Sequence, residues 1–210
     1  MGDLLLIRHG ETEWSRQGRH TGSTDLPLTR YGEAQAHALA SALTVLEPAR
    51  VLVSPLRRAV RTAQLAGLSD LRIEPDLREW DYGGYEGVTT ADIRHARPGW
   101  DLWTEGVLPG GHEHPGESPA DVAARCDRVL AGIAPLLDGG ADEAGGAVVL
   151  VSHGHLLRVL TARYLGLPPA DGALFTMATA AHCRLGTDRG RRVVLGWNLP
   201  TRPVPPEERC

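Results

Sequence analysis

Short apolar segments alternate with helical patterns along this chain, and this alternation limits the possible folds more than any other feature. Residues 4–7, 51–53 and 71–73 predict buried strands, and residues 147–151 form the most apolar strand of all. Between these segments, apolar residues recur at helical spacing. Strands and helices that alternate at this length are typical of a largely parallel sheet covered by helices. We therefore predict an α/β fold, a three-layer α/β/α sandwich.

The helix starts and the end of the chain carry local signals. Thr29 is a predicted N-cap residue, and Ser118 followed by Pro119 predicts the start of another helix. Residues 180–185 and 192–197 flank an Asp-Arg-Gly turn and predict a β-hairpin. That hairpin is expected to give the otherwise parallel sheet one antiparallel edge strand.

A length of 210 residues suits one domain. We predict a single domain over residues 1–200, with a small cap segment at about residues 88–118. Residues 106–116 are rich in Gly, Pro and His, and they predict a long loop within that cap. Residues 201–210 predict a mobile C-terminal tail.

Composition argues against several classes of protein. The net charge is −4, from 22 basic and 26 acidic residues, which disfavours nucleic-acid and anionic-membrane partners. No apolar run approaches the ~18 residues of a membrane span, and the N-terminal run lacks the basic flank of a signal peptide. The three cysteines contain no Cys-x-x-Cys pair and favour a reducing compartment. We therefore expect a cytoplasmic protein.

Polar residues follow three of the predicted strands at the point where each strand ends. Arg8 and His9 follow the first strand, Arg57 and Arg58 follow the second, and His153 follows the most apolar one. Because ligands of open α/β sheets bind outside the carboxyl ends of the strands, these side chains are expected to meet in one crevice. Arginine binds phosphate oxygens through planar, forked donors and keeps its charge. The sequence therefore predicts a site for a phosphate dianion.

A histidine beside such arginines suits nucleophilic attack on phosphorus. His9 would attack as the neutral imidazole with its other ring nitrogen held in a hydrogen bond, and nearby arginines lower its pKa. The leaving oxygen also needs a proton donor. The segment after the third strand offers Glu79, Asp81 and Glu86. Glu79 is the best candidate, but spacing alone does not choose among the three.

Three segments resemble the motifs of the histidine phosphatase superfamily, also called the phosphoglycerate mutase-like family. They are residues 6–12 (Leu-Ile-Arg-His-Gly-Glu-Thr), residues 54–63 (Ser-Pro-Leu-Arg-Arg-Ala-Val-Arg-Thr-Ala) and residues 152–154 (Ser-His-Gly). Together they follow the family's order from residue 4 to about residue 158. The resemblance implies the phosphoglycerate mutase-like fold and catalysis through a phosphohistidine.

The resemblance also implies a role for each matching residue. His9 becomes phosphorylated in turnover, and Glu79, in the position of the family's Leu-x-Glu motif, acts as general acid and then as general base. The phosphoryl group is surrounded by Arg8, Arg58 and His153. The residues expected to bind substrate are Ser15 (where many relatives have Asn), the main chain of Thr21 and Gly22, and Tyr82, Gly154 and His155.

The family's chemistry needs no metal or cofactor, and we expect neither here. His112, Glu113 and His114 are two histidines and a carboxylate in one loop, but no further ligands are placed beside them. We interpret them as loop residues.

The family contains both mutases and phosphatases. Mutases carry a longer insertion after the acid loop, with a lysine and paired arginines that bind the carboxylate and the second phosphate. Here residues 88–115 are short and hold only Arg94 and Arg97 as strong cations, and the chain lacks lysine altogether. These features favour a phosphatase.

Residues 14–15, 18–22, 25–29 and 78–82 resemble one phosphatase branch, which includes sedoheptulose-bisphosphatase-like enzymes and bacterial broad-specificity acid phosphatases. Because cap cations are sparse, we expect broad hydrolysis of small phosphate monoesters, of sugar or glycolytic type. Since His9 must be unprotonated while Glu79 is protonated, we also expect an acidic optimum. Phosphoglycerate mutase and protein phosphatase activity stay open as alternatives. The expected partner is a small phosphorylated metabolite, and the expected assembly is a monomer or homodimer.

Overall fold

The computed structural model describes residues 2–43, 48–138, 146–199 and 201. Within these ranges, six strands form one sheet. They are β1 (Leu4–Arg8), β2 (Arg50–Val53), β3 (Leu71–Ile73), β4 (Val148–Ser152), β5 (His182–Asp188) and β6 (Arg191–Leu199). Their order across the sheet is β3-β2-β4-β1-β5-β6.

The sheet is parallel from β3 to β1 and ends in a hairpin. β4 pairs in parallel with both β1 and β2, and β2 pairs in parallel with β3. β5 runs antiparallel to both of its neighbours, β1 and β6. The predicted mostly parallel sheet with an antiparallel edge is confirmed. The strand that opposes the others is β5, and β6 covers it on the outside.

Helices of very different length connect the strands of the described ranges. The α-helices are α1 (Glu13–Arg16), α2 (Arg30–Leu43), α3 (Arg57–Leu65), α4 (Thr90–Ala96), α5 (Leu102–Glu105), α6 (Pro119–Asp138) and α7 (Gly154–Tyr164). Short 3₁₀ helices cover Pro75–Leu77, Gly83–Tyr85 and Pro169–Leu174.

Alternate side chains of the central strands enter two separate apolar layers. Leu4 and Leu6 of β1 pack in the layer that contains α6 and α7. Leu5 and Ile7 pack in the layer that contains α2 and α3. β4 is buried along its whole length, because helices cover both faces of the sheet. The predicted three-layer sandwich is confirmed.

The predicted cap, residues 88–118, contains α4, α5 and the loop that follows them. Its Trp100 is buried and donates from Nε1 to the carbonyl oxygen of Gly106 at 3.0 Å. The indole thus packs the cap with its polar atom satisfied. Of the predicted tail, residues 202–210 lie outside the described residues, so its mobility stays a prediction. No helix in the described ranges combines the length and apolarity needed to cross a bilayer.

Candidate active site

The carboxyl ends of β1 and β4 open into one cleft of about 210 Å³. Because β1 ends at Arg8 and β4 at Ser152, the residues that follow them are carried to the same edge of the sheet. Most of the predicted site residues line this cleft: Arg8, His9, Ser15, Thr21, Glu79, Tyr82, Gly154 and His155. The lining also contains Gly18, Arg19, His20, Thr90, Arg158 and Met177, none of which the sequence singled out as a site residue.

A hydrogen bond fixes the orientation and the tautomer of the His9 imidazole. Its Nδ1 lies 2.7 Å from the carbonyl oxygen of Gly10, which can only accept, so Nδ1 carries the proton and Nε2 keeps a lone pair. Burial, together with the charges of Arg58 and Arg8, keeps the pKa of His9 well below its usual range. The imidazole is therefore neutral at physiological pH and has one nitrogen available for attack.

Arg8 has an N–H donor without a partner among the described residues. Its Nη1 donates to the carbonyl oxygen of Met177 at 2.5 Å, whereas its Nε is buried and has no partner among the described residues. Gly154 allows the guanidinium to lie this close to α7, since a Cβ at that position would stand 3.3 Å from Cζ of Arg8. A buried, unpaired N–H beside the nucleophile is a position for a phosphate oxygen.

Arg58 and His153 do not line the cleft but lie on its buried side. Arg58 donates from Nε to Nδ1 of His153 at 3.1 Å, so the proton of His153 is on Nε2, which donates to Ser54 Oγ at 2.7 Å. The two imidazole rings of His153 and His9 are 5.0 Å apart. Burial and the charge of Arg58 keep the pKa of His153 well below its usual range.

Arg58 also supports the loop in front of the site. Its Nη1 donates to the carbonyl oxygen of Thr24 at 2.8 Å, and its Nη2 donates to those of Thr21 and Gly22 at 3.2 and 2.9 Å. The second N–H of Nη1 has no partner among the described residues. Arg57 differs completely, because its side chain is 59% exposed and points to Asp25.

Glu79 is anchored by the first turn of α7. Its Oε1 accepts from the backbone N–H groups of Trp80 at 3.0 Å and Leu156 at 2.8 Å, and its Oε2 accepts from the N–H of His155 at 3.1 Å. These three N–H groups hold the carboxyl group of Glu79 in one orientation at the start of α7. Both lone pairs of Oε1 are used, so Oε2 is the oxygen that can carry a proton.

The structure separates Glu79 from its two rivals. Asp81 caps the following turn by accepting from the N–H of Gly83 at 3.0 Å, and it does not line the cleft. Glu86 accepts from the N–H groups of Gly22 and Thr24 and so supports their loop. Of these three carboxylates, only that of Glu79 lines the cleft beside the nucleophile.

A buried arginine holds the loop that carries Glu79. Arg125 of α6 pairs with both carboxylate oxygens of Glu117, at 2.7 and 2.8 Å. It also donates to the carbonyl oxygens of Asp76, Arg78 and Glu79. Sequence reasoning missed this residue, although an arginine on the apolar face of a helix is a detectable signal.

The rings of His20, Tyr82 and His155 contact one another and form an aromatic wall of the cleft. Tyr82 shares a hydrogen bond of 2.5 Å with Nδ1 of His155, and its ring lies 4.6 Å from that of His20. Burial lowers the pKa of His20 to about 4 and keeps that of His155 well below its usual range. The wall is therefore uncharged near neutral pH.

The remaining predicted substrate residues have local partners. Ser15 is in the lining, but its Oγ accepts from the N–H of Thr12 at 2.9 Å and completes the capping box of α1. Thr21 lines the cleft, and its carbonyl oxygen accepts from Arg58. Gly22 differs from the expectation, because its N–H is bound by Glu86 and it does not line the cleft.

The structure also bears on metal binding. In the part of the chain that it describes, no three His, Cys, Asp or Glu side chains are grouped so that they could hold a metal ion. His114 instead lies with Nδ1 2.5 Å from the hydroxyl oxygen of Ser23.

A neutral, oriented histidine at the carboxyl edge of a sheet, with arginine donors and a carboxylate around it, defines a site for phosphoryl transfer through a phosphohistidine. The chain matches the histidine phosphatase superfamily (branch 1) over residues 4–200 and belongs to this superfamily. The resemblance predicted from the motifs is confirmed.

Several similar proteins with assigned activities are phosphatases. An acid phosphatase of Mycobacterium tuberculosis is 41% identical over 96% of this chain and 95% of its own length. The sedoheptulose 1,7-bisphosphatase of Saccharomyces cerevisiae is 34% identical over 78% of this chain and 67% of its own. The predicted enzyme class, a phosphoric monoester hydrolase, is confirmed, and the mutase alternative is less well supported.

Solved structures show the same fold. A protein from an open reading frame of Mycobacterium tuberculosis superposes with a TM-score of 0.85 at 40% identity, covering 94% of this chain and 97% of that one. A mycobacterial glucosyl-3-phosphoglycerate phosphatase, solved with VO3, gives a TM-score of 0.80 at 35% identity, covering 95% and 100% of the two chains.

Proposed function

We propose that this chain hydrolyses small phosphate monoesters through a phosphohistidine formed at His9. The observation that carries the proposal is the hydrogen bond from Nδ1 of His9 to the carbonyl oxygen of Gly10. Because that bond fixes the proton on Nδ1, the lone pair of Nε2 is available to the phosphorus atom of a bound ester.

In the first step, Nε2 of His9 attacks phosphorus and the bond from phosphorus to the ester oxygen breaks. Glu79 gives the proton on Oε2 to the leaving oxygen, so an alcohol departs. Arg8, through its unpaired Nε–H, and Arg58, through its remaining N–H, bind the equatorial oxygens, where charge is spread in the transition state.

In the second step, water attacks the phosphohistidine and the phosphorus–nitrogen bond breaks. Glu79, now a carboxylate, accepts a proton from that water, and inorganic phosphate and neutral His9 are released. Each group returns to its starting protonation state, so turnover needs no other reactant.

His153 serves this reaction by orienting Arg58. Since Nδ1 of His153 accepts from Nε of Arg58, and Nε2 donates to Ser54, the imidazole links the guanidinium to β2's end. Tyr82, Gly154 and His155 form the walls that contact the rest of the substrate, together with Ser15 and Thr21. Gly22 stabilises the same loop through its hydrogen bonds with Arg58 and Glu86.

The substrate is a small phosphorylated metabolite, sugar or glycolytic-type phosphates included. The cleft volume of about 210 Å³ is below the roughly 300–1,000 Å³ of pockets for drug-sized ligands. The names of the relatives, an acid phosphatase and two sugar-phosphate phosphatases, support this class and broad specificity with an acidic optimum. The enzyme works without a metal or another cofactor.

We also infer the setting in which the enzyme works. The thiols of Cys126 and Cys183 are free and buried, which suits the reducing cytoplasm. The chain functions as a single domain with a small cap, as a monomer or homodimer, and it binds neither nucleic acid nor membrane.

The test is covalent trapping. Wild-type enzyme mixed with a ³²P-labelled monoester and quenched in base is expected to keep label that acid releases, and His9→Ala to keep none while remaining folded. Turnover by His9→Ala, or label at another residue, contradicts the proposal. Following 3-phosphoglycerate by ³¹P NMR separates the mutase, since the expected product is inorganic phosphate and not 2-phosphoglycerate.

A further inference from the structure

Arg158 is a cleft residue whose charge has no acidic partner. It lies on α7, the helix that follows His153, and its guanidinium stacks over the ring of Trp103 at 4.4 Å. In the described part of the chain, no Asp or Glu side chain forms an ion pair with it. A half-buried cation left unpaired in a substrate cleft is available for an anion.

The guanidinium of Arg158 is held in a fixed orientation. Its Nε donates to the carbonyl oxygen of Gly172 at 3.0 Å, and Trp103 supports its face. Gly172 leaves room for this stack, because a Cβ there would stand 2.5 Å from the Trp103 ring. Nη1 has no partner among the described residues. A preorganised donor of this kind loses little conformational freedom when it binds an anion.

The charges of the cleft exceed what one phosphate needs. Its lining contains three arginines, Arg8, Arg19 and Arg158, and among the described lining residues Glu79 is the single carboxylate. The oxygens of Glu79 already accept three backbone N–H bonds. Arg8 serves the reacting phosphoryl group beside His9, which leaves Arg158 and the exposed Arg19 for a different group.

We propose that Arg158, assisted by Arg19, binds a second anionic group of the substrate, so that the preferred substrates are small phosphate monoesters that also carry a carboxylate or a second phosphate. The inference rests on the proposed function and narrows it. The cap offers few cations, but α7 and the loop before Thr21 supply the basic subsite instead.

Two matched substrate pairs test the proposal. 3-Phosphoglycerate differs from glycerol 3-phosphate by a carboxylate in place of a hydroxymethyl group, and fructose 1,6-bisphosphate differs from fructose 6-phosphate by a second phosphate. The wild-type chain is expected to show a kcat/KM at least about ten-fold higher for the doubly anionic member of one pair, as a charged hydrogen bond supplies. Which pair shows the preference tells a carboxylate from a phosphate.

The variants assign that preference to one side chain. Arg158→Gln is expected to lower the ratio of the two kcat/KM values about ten-fold, mainly through KM, and Arg158→Lys to restore part of it. Arg163→Gln is the matched control, since Arg163 is also on α7 but pairs with Asp127. It is expected to leave the ratio as in the wild type.

The outcomes separate this inference from the proposed function. Equal kcat/KM within both pairs in an enzyme that turns over p-nitrophenyl phosphate overturns the subsite and leaves the phosphatase standing. A preference that survives unchanged in Arg158→Gln also overturns it. If Arg158→Gln fails to fold, Arg158→Lys decides: a ratio between the two kcat/KM values that is lower than in the wild type, mainly through KM, supports the subsite, and a wild-type ratio overturns it. No turnover of any of the five substrates overturns the phosphatase and the subsite together.

Discussion

Nε of Arg58 donates to Nδ1 of His153 at 3.1 Å, so the two side chains whose motifs are far apart in the sequence form one unit under the nucleophile. The bond assigns His153 an accepting nitrogen toward the site and a donating nitrogen toward Ser54. It also orients the guanidinium so that Nη2 of Arg58 donates to the carbonyl oxygen of Thr21. Burial lowers the pKa of His9, and the charge of Arg58 in this unit adds to that effect.

The first prediction separates the adjacent arginines of the second motif. Arg58→Ala should remove about 2–4 kcal/mol of transition-state stabilisation, because it deletes a preorganised charged donor and unties His153. Arg57→Ala should have a far smaller effect, since that side chain lies in solvent. The measurement is kcat/KM with p-nitrophenyl phosphate. Equal losses at the two positions contradict the assigned register.

A second prediction concerns Glu79 as proton donor. Glu79→Gln keeps the shape but carries no transferable proton, so kcat should fall most for esters with poor leaving groups, such as glycerol 3-phosphate. The fall should be smallest for p-nitrophenyl phosphate, whose nitrophenolate departs without a proton. The readout is kcat for a series of leaving groups. A uniform effect across the series removes Glu79 from the role of acid.

The third prediction is the pH dependence of catalysis. Burial and two arginines keep the pKa of His9 well below its usual range, so the neutral nucleophile persists at mildly acidic pH. We therefore expect kcat/KM to stay high as pH falls through ~6.5, the ordinary histidine value. The profile is measured in buffers that contain a chelator. A loss of activity centred at that value, or an alkaline optimum abolished by chelation, contradicts the assignment.

Arg125 provides the fourth prediction. Arg125→Met leaves the partly buried carboxylate of Glu117 without its charged partner and the carbonyl oxygens of the acid loop without their donor, and it should cost about 3–5 kcal/mol of unfolding free energy. Removing both partners, Arg125→Met with Glu117→Leu, should recover part of the loss in urea unfolding. Arg128→Met, on the same helix in an exposed pair with Asp76, is the control, expected to cost less than about 1 kcal/mol. A double variant less stable than the single one argues against the pairing.

The fifth prediction links His20 to stability at low pH. Burial lowers its pKa to about 4, so between pH ~6.5 and ~4 the unfolded chain binds a proton that the folded chain does not. Stability is therefore complete above pH ~6.5 and falls as pH decreases, by about 3 kcal/mol across the window for this residue. His20→Gln should lack that portion of the decline in urea unfolding. His37→Gln, at an exposed position of α2, should show the wild-type decline.

The position of the candidate site was largely predictable because its residues directly follow strand ends. A residue that directly follows a buried parallel strand must lie at the ligand-binding edge, and His9 and His153 both do. The choice of Glu79 over Asp81 and Glu86 was not predictable from spacing, because it depends on which carboxylate meets the first turn of α7. Chain topology decides that contact.

Arg125 and Arg158 were not predictable from the sequence for a related reason. Their side chains reach the site only through the way α6 and α7 are rotated against the sheet, which depends on packing across the whole apolar layer. α7 is buried on most of its surface, and His155 and Arg158 are its polar side chains in the cleft lining. A cation outside residues 88–115 therefore lines the cleft.

The central position of β1 also has a consequence for folding. β1 directly precedes His9, but it pairs with β4 and β5, which follow it far along the sequence; Ile7, for example, pairs with Val151. A ribosome must therefore deliver β4 and β5 before β1 finds its neighbours, and contacts of such long sequence separation form slowly. Until then α7 is not in place beside His9, so the cleft is incomplete. A nascent chain that already contains His9 therefore has no phosphatase site during most of its synthesis.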